Sequence, residues 1–311
     1  RARALAMAGI IGDSLGDHRA LSEGTDAARY VVETDYAYLY RDMAAFEADS
    51  FGWDLRREAG FGWDLLEGEA RRDFEPAYDK RLGLAVRMGG HGRISDPGAY
   101  VTALADHAVG QGAQMIIGEA TAIAQEEGRV SGVRVGGELI EADAVVLCTG
   151  AWSGPLATSL GLKVPLESER GYHIELWDPS IMPRRPVMVT AAKFVATPME
   201  GRLRLAGIVE YGGLDAPPSS TPFDLLLRNI KAAIPGLTWR ETTKWMGHRP
   251  AIADSLPLLG AVPGVTGAYL GFGHDHVGLT GGPKTGRLLS QMISGRRPNI
   301  DLVPFDPARF T

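Results

Sequence analysis

The segment GFGHDHVGLTGGP, from Gly271 to Pro283, decides how the rest of the sequence is interpreted. It follows the apolar piece Ala268–Leu270, and the residues after it, Pro283–Ile293, carry leucine, methionine and isoleucine on one helical stripe. A glycine-rich turn between a strand and a helix brings backbone N–H groups and the positive end of the helix dipole to one point. The segment therefore predicts a site for a planar or anionic ligand. A turn that only closes a domain is the alternative.

Two other segments carry groups that are suited to binding. In WMGHRP (245–250), Arg249 lies in rigid, apolar surroundings, where a guanidinium can hold a carboxylate with two parallel hydrogen bonds. In LCTGAWS (147–153), an apolar strand ends in a glycine turn and an aromatic residue, where α/β proteins place a ligand. A salt-bridged surface arginine and an ordinary strand-to-helix turn are the alternatives.

Residues 96–153 have the succession of elements of a nucleotide-binding α/β domain. Asp96-Pro97 predicts a helix start, because aspartate is a good N-cap and proline is harmless at the first helical position. A buried strand at 114–117, a short strand at 120–123, a hairpin turning at 136–137 and an apolar strand at 144–148 are expected to follow.

The residues from 162 to 237 have a different pattern. Their periodicity predicts four strands and then an amphipathic helix at 223–233. The last third, from Trp245, returns to strand, glycine loop and helix. The sequence therefore predicts an α/β domain, completed by the C-terminal third, with an α+β domain of antiparallel strands inserted in it. The four strands are expected at 171–176, 186–190, 194–198 and 203–211.

Composition excludes several classes of protein. With 311 residues, 45% apolar and 23% charged, the chain is long enough for two globular domains, and its net charge of −6 gives no footprint for a nucleic-acid partner. No apolar stretch has the length of a membrane span, although peripheral contact with a membrane stays open. The seven histidines are scattered, so no metal site is predicted. The single cysteine, Cys148, is expected to be buried and favours a cytoplasmic location.

Five motifs follow one another along the chain: GRISDP (92–97), CTGAWS (148–153), ERGYH (169–173), WMGHRP (245–250) and GHDHVGLT (273–280). Taken together, they resemble the FAD-dependent D-amino-acid dehydrogenase family, whose relatives include glycine oxidase and D-amino-acid oxidase. The resemblance extends from about residue 36 to residue 310. It implies an FAD-binding, Rossmann-like domain over 85–160 and 245–311, with an inserted antiparallel-sheet substrate domain over 30–84 and 161–244.

The resemblance also implies roles for individual residues. Arg249 matches the arginine that holds the substrate carboxylate, and Tyr172, His173 and His274 are the other catalytic candidates. Thr121 falls where the main chain passes the adenine of FAD, and Gly150 and Trp152 match positions that line the cofactor. The loop beneath the pyrimidine ring of the flavin matches Gly273, His274, Asp275, His276, Val277, Gly278 and Leu279.

One departure from the family concerns the cofactor. The family opens with a strand, a G-x-G-x-x-G turn and a helix, a unit of roughly 30 residues that holds the FAD pyrophosphate. That pattern does not occur in this sequence, and the glycine-rich pieces Gly9–Gly16 and Gly89–Gly92 do not fit it. We therefore expect the matching region to lie before Arg1 and the core sheet to lack its central strand.

The implied reaction is oxidation of the Cα–N bond of an amino acid, and of a D-amino acid in particular. The imino acid then hydrolyses to a keto acid and ammonia, and the electrons pass to a quinone or to oxygen. Oxidation of a secondary amine such as sarcosine, proline or hydroxyproline is one alternative. A non-catalytic fragment, or a subunit that needs a partner for FAD binding, is another. A homodimer and contact with the inner face of a membrane also stay open.

Overall fold

The computed structural model describes residues 1–310, which form one large sheet and two small ones. The strands are β1 (Val31–Tyr40), β2 (Asp64–Glu67), β3 (Leu84–Ile94), β4 (Ala120–Glu126), β5 (Arg129–Val135), β6 (Glu138–Glu141), β7 (Val145–Leu147), β8 (Leu166–Trp177), β9 (Val187–Val189), β10 (Phe194–Met199), β11 (Arg202–Tyr211), β12 (Glu241–Ile252), β13 (Leu258–Ala261) and β14 (Ala268–Phe272).

Nine α-helices connect or cover these strands within residues 1–310. They are α1 (Ala2–Ile11), α2 (Ser14–Ser22), α3 (Met43–Ala48), α4 (Ser50–Glu58), α5 (Gly68–Phe74), α6 (Pro97–Gly110), α7 (Ser153–Ser159), α8 (Thr221–Ala233) and α9 (Gly278–Ile293). Across this part of the chain, none of the helices combines the length and the apolar character that crossing a bilayer requires.

The large sheet has eight strands in the order β12-β8-β11-β10-β9-β1-β3-β2, and only the β1–β9 pair is parallel. Alternate residues of a strand point to opposite faces. Tyr172, Ile174 and Leu176 of β8, together with Leu203 and Leu205 of β11, are fully buried in a core that α8 covers. The residues between them therefore point to the other face, where polar side chains are free to form a site.

The small sheets have the orders β13-β14-β7 and β4-β5-β6. The first sheet packs its leucines against α7 and the β4–β5 hairpin in a second core, and α9 lies beside β13 and β14. Strands β3 and β12 belong to the large sheet although they cross the expected domain boundaries at 85 and 245. The division into an FAD-binding and a substrate domain stays a prediction.

Most of the predicted elements are present. The side chain of Asp96 accepts a hydrogen bond from Ala99 N at 3.1 Å and so caps α6 at the predicted residue. The β5–β6 hairpin turns at Gly136 and Gly137, which both have positive φ. The four strands predicted between 171 and 211 are β8 to β11, and the predicted amphipathic helix is α8.

The predicted buried strand at 114–117 is wrong. These residues are irregular and exposed, with 96% of the Ile117 surface open to solvent. Among residues 1–310, β7 pairs only with β14, so residues 114–117 have no strand to pair with at the other edge of β7. Cys148, which directly follows β7, is exposed rather than buried for the same reason.

The helix after the glycine loop begins at Gly278, not at Pro283 as predicted. A proline inside a helix has no N–H to donate, so the carbonyl of Leu279, four residues earlier, loses its helical donor. His18 Nε2 donates to that carbonyl at 3.0 Å, while its Nδ1 accepts from the Tyr100 hydroxyl at 2.8 Å. Burial lowers the pKa of His18, which keeps the ring neutral in this role. The helix therefore tolerates Pro283 because α2 supplies the missing donor.

Candidate active site

The face of the large sheet away from α8 borders a cleft of about 430 Å³. Side chains of β1, β3, β10 and β11 form one wall, and α2 with the first turn of α9 forms the other. A second cavity of about 760 Å³ shares part of this lining. Both volumes are in the range of cofactor and substrate sites. The shared residues are Ser14, Leu15, Tyr38, His91, Val277 and Thr280.

The edge of the same sheet face, on β8 and β12, holds Arg249. The strand register pairs Arg249 with Glu169, Gly247 with Gly171, and Trp245 with His173. The Arg249 guanidinium lies directly over Gly171, where any Cβ atom would overlap the guanidinium carbon and both of its terminal nitrogens. Glycine is therefore required at 171 for the guanidinium to occupy this position.

Gly247, the strand partner of Gly171, lies beneath an aromatic ring in the same way. The indole of Trp245 lies over Gly247, and a Cβ atom there would overlap it. The same ring stacks on His173, with centroids 4.8 Å apart and planes inclined by 22°. The two glycines thus allow a guanidinium and an indole to lie flat against adjacent strands.

The Arg249 guanidinium has no ion pair within residues 1–310, and its Nη1 is buried without a hydrogen-bond partner there. Burial lowers the pKa of Arg249, and the nearby carboxylates of Glu169 and Asp275 oppose that effect. A buried donor without an acceptor is costly. A carboxylate placed against this guanidinium would remove that cost.

Glu169, Asp275 and His276 form a close cluster of side chains near Arg249. Tyr211 donates to Glu169 Oε1 at 2.7 Å, and His276 Nε2 lies 2.7 Å from Glu169 Oε2 and 3.0 Å from Asp275 Oδ1. Burial and the charge of Glu169 raise the pKa of Asp275. Burial acts to raise the pKa of Glu169 too, but hydrogen bonds from Tyr211 and Asp275 outweigh it and lower that pKa. Asp275 is therefore the member of the pair that holds a proton more readily.

Two predicted site histidines are neutral near pH 7. Burial and the charge of Arg204 lower the pKa of His173 to about 4. Burial alone lowers the pKa of His274 to about 4. The His274 ring is buried and its Nε2 lies 2.9 Å from Thr285 Oγ1, so it ties the glycine loop to α9.

Tyr172 is not part of this group. It is fully buried in the core under α8, and its hydroxyl bonds to Glu210 and Arg170. The reason is the alternation of β8, which sends residues 169, 171 and 173 to one face and Tyr172 to the other. Tyr172 therefore lies in the core, on the face of β8 opposite Arg249, and its catalytic role stays a prediction.

The turn at Gly150 and Trp152 lies against β12. Gly150 has φ of 58°, and the exposed Trp152 ring meets the His248 ring edge-on at 5.2 Å. His248 is adjacent to Arg249 in the chain, so this turn and the Arg249 position are neighbours. Thr121 lies in β4, in a different sheet, where its hydroxyl bonds to the carbonyl of Arg134.

The N-terminus of α9 completes the site. Gly273 has φ of 88° and packs so closely on Ile252 that a side chain would overlap it. Within residues 1–310, no side chain caps α9 and its first turn has no acidic residue, while Val277, Leu279 and Thr280 line the cleft. Uncapped N–H groups and the positive end of a 16-residue helix thus face the cleft. These residues fit the electronegative C2=O2 edge of a flavin.

Several residues of the site were missed from the sequence. Gly171 and Glu169 lie within the ERGYH motif, but the motif does not show that they lie next to Arg249. That contact depends on the pairing of β8 with β12, two strands about 80 residues apart in the chain, which also brings Ser168 to His248. Arg204 lines the cleft, and the only signal for it is the alternation RLRL at 202–205. His18 carries no local signal.

A glycine loop before an uncapped helix and a guanidinium without an ion pair on the adjacent sheet fit the class of flavin-dependent oxidoreductases. Residues 2–292 match the family described as FAD dependent oxidoreductase (DAO), and the chain belongs to that family. FAD is therefore the cofactor of this class of chain, as the sequence predicted.

Two curated relatives and two solved structures are similar to the chain. D-amino-acid oxidase of Bradyrhizobium diazoefficiens is 35% identical over 311 residues, which cover 99% of this chain and 74% of that protein. Glycine oxidase of Pseudomonas putida is 29% identical over 269 residues, covering 84% and 71%. The structure of glycine oxidase from Geobacillus kaustophilus superposes with a TM-score of 0.85 at 24% identity, covering 99% and 83%. That of L-proline dehydrogenase from P. horikoshii gives 0.82 at 20% identity, covering 97% and 82%. These structures confirm the predicted fold class.

Proposed function

We propose that the chain oxidises the Cα–N bond of an amino acid, and that the substrate is a D-amino acid. The observation that carries this proposal is the Arg249 guanidinium, whose buried Nη1 has no partner among residues 1–310. A planar fork held flat on a strand is suited to a carboxylate, which every amino acid has. The relatives named D-amino-acid oxidase and glycine oxidase support the same class of substrate.

The residues of the chain bind and orient the substrate. Two parallel hydrogen bonds from Arg249 fix both the distance and the plane of the carboxylate, and thereby the direction of the Cα–H bond. The stacked rings of His173 and Trp245 form a flat wall next to it. Asp275, whose pKa is raised by burial and by the charge of Glu169, lies near the guanidinium. FAD, when bound, supplies the acceptor for the hydride that leaves Cα.

The cofactor would be held by several separate elements. We assign the pyrimidine edge to the loop from Gly273 to Leu279 and the N-terminus of α9, the neighbouring part of the cofactor to Gly150 and Trp152, and the adenine to the main chain at Thr121. Because residues 1–311 contain no G-x-G-x-x-G turn, we propose that other residues hold the pyrophosphate.

The finer assignments are proposals as well. They are an FAD-binding domain over 85–160 and 245–311, a substrate domain over 30–84 and 161–244, a cytoplasmic location, and a quinone or oxygen as the electron acceptor. The composition and the resemblance support them. Oxygen consumption, compared with reduction of a quinone analogue, distinguishes the two acceptors.

The proposal is tested by the visible spectrum of the FAD-loaded protein. Flavin absorbs near roughly 370 and 450 nm, and the longer band bleaches when the flavin is reduced. We expect D-amino acids to bleach this band under anaerobic conditions. Bleaching only by sarcosine, proline or hydroxyproline would favour the secondary-amine alternative. A protein that holds no flavin would favour the non-catalytic alternative.

The role of Arg249 is tested by two substitutions. Both Arg249→Ala and Arg249→Lys should lower kcat/KM, because lysine keeps the charge but loses the fork. The expected loss for alanine is about 2–4 kcal/mol, or roughly 30- to 1000-fold. Arg240→Ala is the matched control, since Arg240 is exposed and pairs with Asp178. An Arg249→Ala protein with normal flavin content and unchanged kcat/KM would exclude the carboxylate role.

A further inference from the structure

Arg204, on β11, is a second cation on the same sheet face as Arg249. We propose that Arg204 binds a second carboxylate of the substrate and so selects amino acids with an acidic side chain. This inference rests on the proposed function, because it requires the α-carboxylate to be held by Arg249.

The surroundings of Arg204 point to a ligand. Its side chain lines the 430 Å³ cleft together with polar groups of Tyr36, Tyr38, His91 and Thr197. It is half-buried, and no hydrogen bond or ion pair joins its guanidinium to any of residues 1–310. Burial lowers the pKa of Arg204, so its surroundings do not fully compensate its charge.

The nearby carboxylates are engaged elsewhere. Arg202, two residues earlier on the same strand, holds Asp96 at 3.1 Å and Glu175 at 2.9 Å. The acids that would otherwise neutralise Arg204 are thus committed to its neighbour. A desolvated cation without a partner is costly, and an anion that enters the cleft removes that cost.

The two arginines are arranged to hold the two ends of one molecule. In the strand register, Arg204 of β11 lies opposite Glu175 of β8, whereas the Arg249 guanidinium lies over Gly171 of β8. Four strand residues span about 13 Å, and both side chains are long enough to shorten the gap between their charges. His173 lies between them and feels the charge of both.

A neutral ring between the two cations suits this arrangement. With its pKa lowered to about 4, His173 adds no third positive charge near pH 7 and repels neither guanidinium. An amino acid with an apolar side chain would leave Arg204 without a partner in the cleft. A dicarboxylate such as aspartate or glutamate satisfies both arginines at once.

The first test needs no variant. The FAD-loaded protein is given D-aspartate and D-glutamate, and separately D-asparagine and D-glutamine, which have nearly the same shape but no side-chain charge. We expect kcat/KM to be on the order of 100-fold higher for the acids. Equal or higher kcat/KM for the amides overturns the role of Arg204 and leaves the proposed function intact. Turnover of no amino acid at all means that the proposed function itself has failed.

The second test uses Arg204→Gln, with Arg240→Gln as the matched control on an exposed arginine. The expected result is a loss of roughly 30- to 300-fold in kcat/KM for the acids and a change below about 3-fold for the amides. Binding of malonate and succinate, followed by the flavin absorption band, should weaken in parallel. Equal losses for acids and amides, or loss of bound flavin, would contradict a role in substrate selection.

Discussion

Replacing Gly171 by alanine tests the arrangement around Arg249 with a single methyl group. Gly171 has no positive φ and lies in the regular part of β8, so alanine is compatible with the main chain there. The added Cβ atom would overlap the guanidinium carbon and both terminal nitrogens of Arg249. Restoring ordinary contact distances moves the guanidinium by about 1 Å or more.

The size of the effect follows from this displacement. A misplacement of about 1 Å in a group that orients the substrate costs on the order of 100-fold in rate. That factor corresponds to about 2.7 kcal/mol in the transition state. Within a strand, alanine is also more stable than glycine by roughly 0.5–1 kcal/mol, because its backbone loses less entropy on folding. We therefore expect kcat/KM to fall about 100-fold while the melting temperature stays close to that of the wild type.

The assay compares Gly171→Ala with Gly247→Ala, which places its methyl group against the indole of Trp245 instead of the guanidinium. Steady-state turnover of a D-amino acid is measured together with the affinity for benzoate, which presents a carboxylate but cannot be oxidised. Gly171→Ala should weaken benzoate about as much as it lowers kcat/KM, and Gly247→Ala should affect benzoate less than about 5-fold. Unchanged benzoate affinity in Gly171→Ala would refute the reasoning, because the guanidinium would then not be the carboxylate site.

Two further predictions concern stability. The pKa of His274 is lowered from 6.5 to about 4, so below pH 6.5 the unfolded chain binds a proton that the folded chain does not. The neutral His274 ring therefore leaves the free energy of unfolding unaffected above pH 6.5. As the pH is lowered toward 4, this one group lowers the free energy of unfolding, by about 2 kcal/mol at pH 5. Urea unfolding at pH 7 and pH 5 measures this, and His274→Asn should lose that share of the pH dependence; an unaltered dependence would contradict the assignment. Substituting His18 by alanine leaves the Leu279 carbonyl without its donor and should cost about 1–3 kcal/mol in urea unfolding. His107→Ala, at an exposed position on α6, is the control, and equal losses in the two variants would show that the bond to Leu279 is unimportant.

Local patterns in the sequence predicted the elements that depend on neighbouring residues. The N-cap at Asp96 and the hairpin turn at Gly136 each require only a few adjacent residues, and both are present. The expected strand at 114–117 was wrong because an apolar stretch becomes a strand only where another strand pairs with it. The start of α9 was wrong because Pro283 is tolerated through His18, whose contact with Leu279 joins residues 261 positions apart.

In the candidate site, too, the position of single side chains depends on contacts between strands that local sequence patterns do not predict. The motif WMGHRP identified Arg249, but the position of its guanidinium depends on Gly171 of another strand. Tyr172 follows that glycine directly and belongs to the core, because one residue of displacement along a strand changes the face. The arrangement of two glycines opposite each other, each beneath a large flat group, lets the guanidinium lie flat on this sheet face, where it can meet the planar carboxylate of a substrate. Because Arg204 belongs to the same face without an ion pair in residues 1–310, that surface has a positive charge at both ends. A zwitterion with one carboxylate would satisfy only one of them, and this difference makes the side-chain charge of the substrate the decisive measurement.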